Sequence, residues 1–146
     1  MEVNRPGVVA EVTVCFERYE AALVSNDLST LAELFWNNSL VVRFGANENL
    51  YGYEQICTFR AQRPTGDLAR RLTRTVITTY GSDFATTSAE FVRLASGDVG
   101  RQSQSWMRTE SGWRIVAAHV SVLSRAPDPS DTQGGRDIGA GRQTAE

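Results

Sequence analysis

The hydrophobic pattern changes its period near the middle of the chain, and this change constrains the fold most. Before residue 64, apolar residues recur every three or four positions, as in amphipathic helices. From residue 70 onward, β-like stretches alternate with short Gly-containing breaks. Short connections favour antiparallel hairpins, so helices followed by a meander predict an α+β domain. The four predicted strands span residues 70–79, 84–94, 100–109 and 113–123.

Three helices are predicted in the first half. The first, residues 8–24, carries an apolar stripe formed by Val8, Val12, Cys15, Phe16, Tyr19 and Leu23. Asp27 is a candidate N-cap for a short second helix. A third helix spans residues 53–63 and ends before Pro64. Between the second and third helices, residues 40–44 (Leu-Val-Val-Arg-Phe) have the composition of a β-strand.

The chain is long enough for one domain with a buried core, which we assign to residues 1–124. Residues 125–146 are rich in Pro, Gly, Asp and Ser, and we expect them to form a disordered polar tail. The element order predicts a cone in which three N-terminal helices wrap a curved antiparallel sheet around one pocket. The open mouth of such a cone is where a small ligand would bind.

Composition excludes several classes of function. The chain contains 15 basic residues, all arginine, so Schiff-base chemistry and a P-loop, which require lysine, are excluded. One histidine and two widely spaced cysteines do not suffice for a zinc site, and we expect no metal and no cofactor. The net charge of −2 and the lack of a long apolar run predict no nucleic-acid and no membrane partner. A cytoplasmic location with free thiols follows from the lack of a signal peptide.

The turn at residues 109–112 sets a register for the last hairpin. It would pair Trp106 with Ile115, Gln104 with Ala117 and Gln102 with His119. The predicted pocket face then holds Gln102, Gln104, Trp106, Trp113, Ile115, Ala117, His119 and Ser121. The opposite face, with Met107, Val116, Ala118 and Val120, would form a homodimer interface. A slip of one residue would invert both faces.

Candidate site residues follow from this register and from the helix pattern. Arg43 interrupts an apolar strand, where it either meets an anion, as a ligand or a protein carboxylate, or faces outward as an exposed charge. Tyr19 lies on the apolar stripe that faces the core, where its hydroxyl could act chemically or form a hydrogen bond with the backbone. The remaining candidates are substrate-binding residues on the predicted pocket face: Gln104, His119, Trp106 and Ser121, with Gln102 beside them.

Several segments carry a family resemblance. Residues 16–19 (Phe-Glu-Arg-Tyr), 26–36 and 112–121 (Gly-Trp-Arg-Ile-Val-Ala-Ala-His-Val-Ser) are similar to the opening helices and closing strand of the SnoaL/NTF2-like superfamily. Residues 40–45, 51–56 and 59–64 (Phe-Arg-Ala-Gln-Arg-Pro) resemble the AtzH-like family of cyanuric-acid and oxalurate (HpxZ-like) catabolism. The resemblance covers roughly residues 3–124.

This resemblance implies a role in nitrogen-compound breakdown beside an amidase-signature hydrolase. The cyanuric-acid member is regarded as a decarboxylating amidohydrolase that converts dicarboxyurea into allophanate. Its active tyrosine and arginine match Tyr19 and Arg43 by motif. Arg43 would then bind a carboxylate of a small anionic urea, and Tyr19 would deliver a proton to the departing nitrogen. Gln104 and His119 would orient the urea carbonyl, and Arg60 or Arg63 would be the next candidate anchors.

Two other functions fit the same fold. An isomerase or cyclase would need an inward carboxylate or histidine base in an apolar pocket. A non-catalytic binding or assembly module would have a dry pocket filled by Trp36, Trp106 and Phe59.

Overall fold

A computed structural model describes residues 1–123 of the chain. Three helices are present: α1 (Pro6–Val24), α2 (Leu28–Leu34) and α3 (Tyr53–Gln62). The six strands are β1 (Val42–Phe44), β2 (Asn49–Tyr51), β3 (Arg70–Tyr80), β4 (Phe84–Arg93), β5 (Val99–Thr109) and β6 (Gly112–Leu123). The α+β expectation is confirmed, and the predicted elements agree with these bounds within two residues. The predicted tail lies outside the described residues.

The sheet is mixed, which corrects the expectation of an antiparallel sheet. Its strand order is β2-β1-β6-β5-β4-β3. The last four strands form the predicted antiparallel meander, but β1 runs parallel to β6. A parallel pair needs a long connection, and the chain between β1 and β6 supplies it. The short strand β2, which pairs antiparallel with β1, was not predicted because only Leu50 of its three residues is buried.

Local signals explain where the first two helices begin and end. Pro6 opens α1, where its missing N–H costs no helical hydrogen bond. Asn26 adopts a left-handed φ of 53°, which breaks the chain between α1 and α2. The Asp27 side chain then accepts hydrogen bonds from the backbone N–H and the hydroxyl of Thr30, as the predicted N-cap.

The core lies between the helices and one face of the sheet. The largest fully buried side chains come from both layers and include Tyr19, Leu31, Phe35, Ile56, Trp106 and Ile115. None of the helices in residues 1–123 is both long enough and apolar enough to span a bilayer. Below, the inner face is the sheet face that packs against the helices, and the outer face is the opposite one.

Candidate functional site

A row of paired residues crosses the inner face of the sheet at the level of Arg43. Arg43 pairs with Leu50 on one side and with Ala118 on the other. Ala118 pairs with Gln104, which pairs with Thr87. Paired residues project from the same face, and all five are buried. The sheet therefore places the predicted residues Arg43 and Gln104 on one surface.

Arg43 is 6% exposed and has one protein acceptor. Its Nη1 donates to Glu48 Oε1 at 3.1 Å, and its guanidinium carbon lies 5.6 Å from the centre of the Phe59 ring. Its buried Nε has no hydrogen-bond partner within residues 1–123. Glu48 can approach because residue 45 is glycine: a Cβ there would fall 1.6 Å from Glu48 Oε1. The guanidinium therefore keeps donor capacity beyond the Glu48 contact.

Tyr19 lies on the buried face of α1 and is 1% exposed. Its ring packs 6.3 Å from the Phe35 ring, and the Arg60 guanidinium carbon lies 5.8 Å from the Tyr19 ring centre. Burial alone would raise the pKa of Tyr19. The positive charges of Arg60, Arg43 and Arg70 outweigh burial and hold the pKa below its usual value. Tyr19 is therefore a stronger proton donor than a tyrosine in water.

Gln104 belongs to a short buried network. The Thr87 hydroxyl donates to Gln104 Oε1 at 3.0 Å and accepts from Trp106 Nε1 at 3.1 Å. These bonds orient the Gln104 amide and leave its Nε2 donor without a partner in the described part of the chain. Gln102 is similar: its Oε1 accepts from Arg70 at 3.1 Å, and its Nε2 is buried and unpaired there. Both glutamines thus keep a free amide donor in the interior.

The predicted placement of His119 and Ser121 is wrong. A register shift between Ser105 and Trp106 offsets β6, so Gln104 pairs with Ala118 and not with Ala117. Such an irregularity inverts the alternation of side chains beyond it. His119 is exposed on the outer face and packs edge-on against Phe44 with ring centres 5.7 Å apart.

The same shift changes both faces of the hairpin. Ser121 accepts a hydrogen bond from Arg101 at 3.2 Å, in an exposed pair. Ala118 and Val120, predicted for the homodimer face, are buried residues of the inner face. The outer face instead carries a groove of about 470 Å³, lined by Val42, Phe44, Thr86, Ser88, Ser103, Ser105, Ala117 and His119, with Gln104 and Ala118 also in its lining.

Arg60 and Arg63 were named only as fallback anchors, yet Arg60 is the most deeply buried arginine described. It is 3% exposed, and its guanidinium carbon lies 4.8 Å from the centre of the Phe35 ring. Burial lowers the pKa of Arg60. Burial, with repulsion from Arg60 and Arg43, lowers the pKa of Arg63 to about 10. A signal was present in the sequence: Arg60 follows the core residue Ile56 by four positions, on the same helix face.

Arg70 differs from the other buried arginines because its charge is matched. Its Nε and Nη2 donate to the two carboxylate oxygens of Glu20 at 2.7 and 2.8 Å. The guanidinium carbon also lies 4.2 Å from the centre of the Phe91 ring. This bidentate pair joins α1 to β3 and has the geometry of a structural ion pair.

Comparisons with known proteins agree with this architecture. The family model described as AtzH-like matches residues 1–126. A protein of unknown function from Pectobacterium atrosepticum is 55% identical, with 84% of this chain and 95% of that chain covered and a TM-score of 0.81. A cystatin-like fold protein from Burkholderia xenovorans is 46% identical, with coverage of 87% and 99% and a TM-score of 0.83.

A more distant structure shows the fold alone. An NTF2-like superfamily protein from Salmonella enterica is 24% identical, with 83% of this chain and 93% of that chain covered and a TM-score of 0.66. No protein of curated function matches the chain. The family match spans most of the sequence and includes the segments that carry Tyr19 and Arg43. The chain therefore belongs to the AtzH-like family, and its fold is similar to that of NTF2-like proteins.

Proposed function

We propose that this chain is a cofactor-free hydrolase of nitrogen-compound catabolism, a decarboxylating amidohydrolase that converts dicarboxyurea into allophanate. One observation carries the proposal: Tyr19 and Arg43, from α1 and β1, are both buried, and the positive charges of Arg60, Arg43 and Arg70 act on Tyr19. That environment favours an anionic ligand over a neutral one. Tyr19 and Arg43 are also the residues that the family resemblance implies.

The reaction consumes one proton and releases carbon dioxide. The bond between a urea nitrogen and its carboxylate carbon breaks, the electron pair stays on nitrogen, and nitrogen takes the proton of the Tyr19 hydroxyl. The carboxylate leaves as CO2, and the product is the monoanion allophanate. The lowered pKa of Tyr19 fits this role, because the guanidinium groups of Arg60 and Arg43 stabilise the phenolate that forms. Solvent then returns the proton to Tyr19.

The polar groups of the interior suit a planar carboxylated urea. Arg43 offers a guanidinium that can bind a carboxylate by two parallel hydrogen bonds. Gln104 offers a free Nε2 donor, held in place by Thr87, for the urea carbonyl. In this proposal His119 no longer orients that carbonyl, because it faces outward.

An isomerase or cyclase is less well supported. That chemistry needs an inward base, but the single histidine lies on the outer face. Of the carboxylates beside the interior, Glu20 is bound by Arg70 and Glu48 by Arg43. An arginine-bound carboxylate is a poor base.

Tyr19→Phe and Arg43→Lys should fail in different ways. Tyr19→Phe keeps the ring and its packing, so turnover should fall about 10²–10⁴-fold while ligand binding survives. Arg43→Lys keeps the charge but loses the planar fork, so carboxylate binding should weaken by about 1.5–3 kcal/mol. The measurement is decarboxylation of dicarboxyurea coupled to allophanate hydrolysis, with spontaneous decay subtracted.

The matched control is His119→Gln, which changes an outer-face residue and should leave turnover unchanged. A fully active Tyr19→Phe protein would exclude the proton-transfer role. Normal dianion binding by a folded Arg43→Ala protein would place the anchor elsewhere.

A further inference from the structure

Arg60 is a buried cation without a carboxylate partner among residues 1–123, although its charge lowers the pKa of the nearby Tyr19. It is 3% exposed, and its Nε, Nη1 and Nη2 atoms have no hydrogen-bond partner among residues 1–123. The rings of Phe35 and Tyr19, with centres 4.8 and 5.8 Å from the guanidinium carbon, contact it as aromatic groups. Aromatic rings do not satisfy the five N–H donors at the edge of a guanidinium. The side chain is thus held in place by packing while its hydrogen bonds are unmade.

Arg63 adds a second incompletely paired guanidinium beside Arg60. It follows Arg60 by three positions at the end of α3, a spacing that brings helical side chains together. Its Nε and Nη2 atoms are buried and have no partner in the described chain. Glu48, whose negative charge acts on Arg63, is bound by Arg43. Within residues 1–123, neither Arg60 nor Arg63 therefore has an ion-pair partner of its own.

We propose that Arg60, assisted by Arg63, binds the second carboxylate of a dianionic substrate whose first carboxylate is bound by Arg43. This inference rests on the proposed function and specifies its substrate class as a small dicarboxylate. A buried charge is tolerated when a ligand supplies its counter-ion. Two separate arginine groups match two carboxylates at the ends of one short molecule better than they match a single carboxylate.

The pairing pattern also assigns the two carboxylates. The departing carboxylate loses its charge in the transition state, so a cation that depends on it alone would oppose cleavage. Arg43 does not depend on the departing carboxylate alone, because Glu48 Oε1 lies 3.1 Å from Arg43 Nη1 and can replace that carboxylate as its partner. Arg60 has no carboxylate replacement among the described residues, and the Tyr19 phenolate beside it lasts only until solvent returns the proton. Arg60 therefore binds the carboxylate retained in the product, and Arg43 binds the one that leaves.

Two stable probes test the two carboxylate-binding groups by calorimetric titration of the full chain. Glutarate has the carboxylate spacing of dicarboxyurea, and butyrate is the same molecule without one carboxylate. Arg60→Met should weaken binding of both probes about tenfold or more, since a monoanion also prefers the unpaired arginine. Arg43→Met should weaken glutarate binding by a similar factor and leave butyrate binding nearly unchanged. Arg74→Met removes an exposed arginine on β3 and should change neither affinity.

Thermal melting separates a binding role from a structural one. A structural arginine leaves its partner unsatisfied when removed, which lowers the melting temperature. Arg60→Met removes an unsatisfied charge and keeps the length of the side chain, so its melting temperature should stay equal or rise. Arg60→Lys, which keeps the charge without the fork, should bind both probes with intermediate affinity. A clearly lower melting temperature, or probe affinities within about twofold of wild type, would overturn the proposal.

This inference and the proposed reaction can fail separately. Suppose that Arg60→Met weakens binding of both probes and Arg43→Met weakens binding of glutarate alone, but dicarboxyurea is not turned over. The dicarboxylate site then stands and the reaction is wrong. If dicarboxyurea is turned over by Arg60→Met with unchanged KM, the reaction stands and the second carboxylate site is wrong.

Discussion

Three arginines show how differently one residue type can be buried. Arg70 has two short bonds to Glu20, Arg43 has one to Glu48, and Arg60 has none among the described residues. A protein carboxylate offsets the burial of Arg70, so we assign that residue to stability. Partners are lost step by step from Arg70 to Arg60, and the proposed carboxylate sites follow this order.

Glu48 should compete with the ligand for Arg43. Because Glu48 occupies one side of the guanidinium, Glu48→Gln should raise glutarate affinity about three- to tenfold, equivalent to about 0.6–1.4 kcal/mol. The same change should slow dicarboxyurea turnover, because Arg43 then lacks a replacement partner when CO2 leaves. Titration and the coupled assay measure the two effects. Glu33→Gln, which removes an exposed carboxylate paired with Arg18, is the control with the same change in charge.

At the scale of elements, an ion pair and a register irregularity shape the site. The Glu20–Arg70 ion pair links α1, the helix that carries Tyr19, to the long strand β3. The register shift in β6 turns Ala118 inward beside Arg43 and turns His119 outward. The strands therefore decide which polar residues share a surface, and the helices add Tyr19 and the buried Arg60.

Loss of Glu20 should destabilise the fold more than loss of an exposed carboxylate. Glu20→Ala leaves the Arg70 guanidinium, 5% exposed, without its bidentate partner and should cost about 3 kcal/mol in unfolding free energy. Glu33→Ala breaks an exposed pair and should cost less than about 1 kcal/mol. Urea denaturation of both variants measures the difference. Equal costs would show that the Glu20 pair is no more important than a surface pair.

At the scale of the whole molecule, charge is distributed unevenly. The chain has a net charge of −2, yet the described interior holds more guanidinium groups than carboxylates. A negative exterior with a positive interior disfavours nonspecific binding of polyanions and is compatible with the proposed site for a small anion. Overall charge is thus a poor guide to the ligand of this protein.

The homodimer stays a prediction, with a different contact surface. The groove on the outer face, which contains Phe44, Ala117 and His119, replaces the patch that was expected to include Ala118 and Val120. Light scattering at micromolar concentration should give twice the chain mass of 16.1 kDa. Ala117→Arg places a charge in the groove and should shift the mass toward the monomer. A monomeric mass for the unaltered chain would contradict the prediction.

Local sequence determined the elements and part of the site. Helical and alternating periods located all three helices and five of the six strands, because those periods reflect which face of an element is buried. The helical period also placed Tyr19 inside, whereas the structure decided between an inward and an outward Arg43, which is 6% exposed. The tertiary structure decided the rest. The parallel β1–β6 pairing and the offset in β6 depend on hydrogen bonds between distant segments, and one shifted residue sent His119 to the outer face. The role of Arg60 also required the fold, since only three-dimensional neighbours show whether a buried charge has a partner.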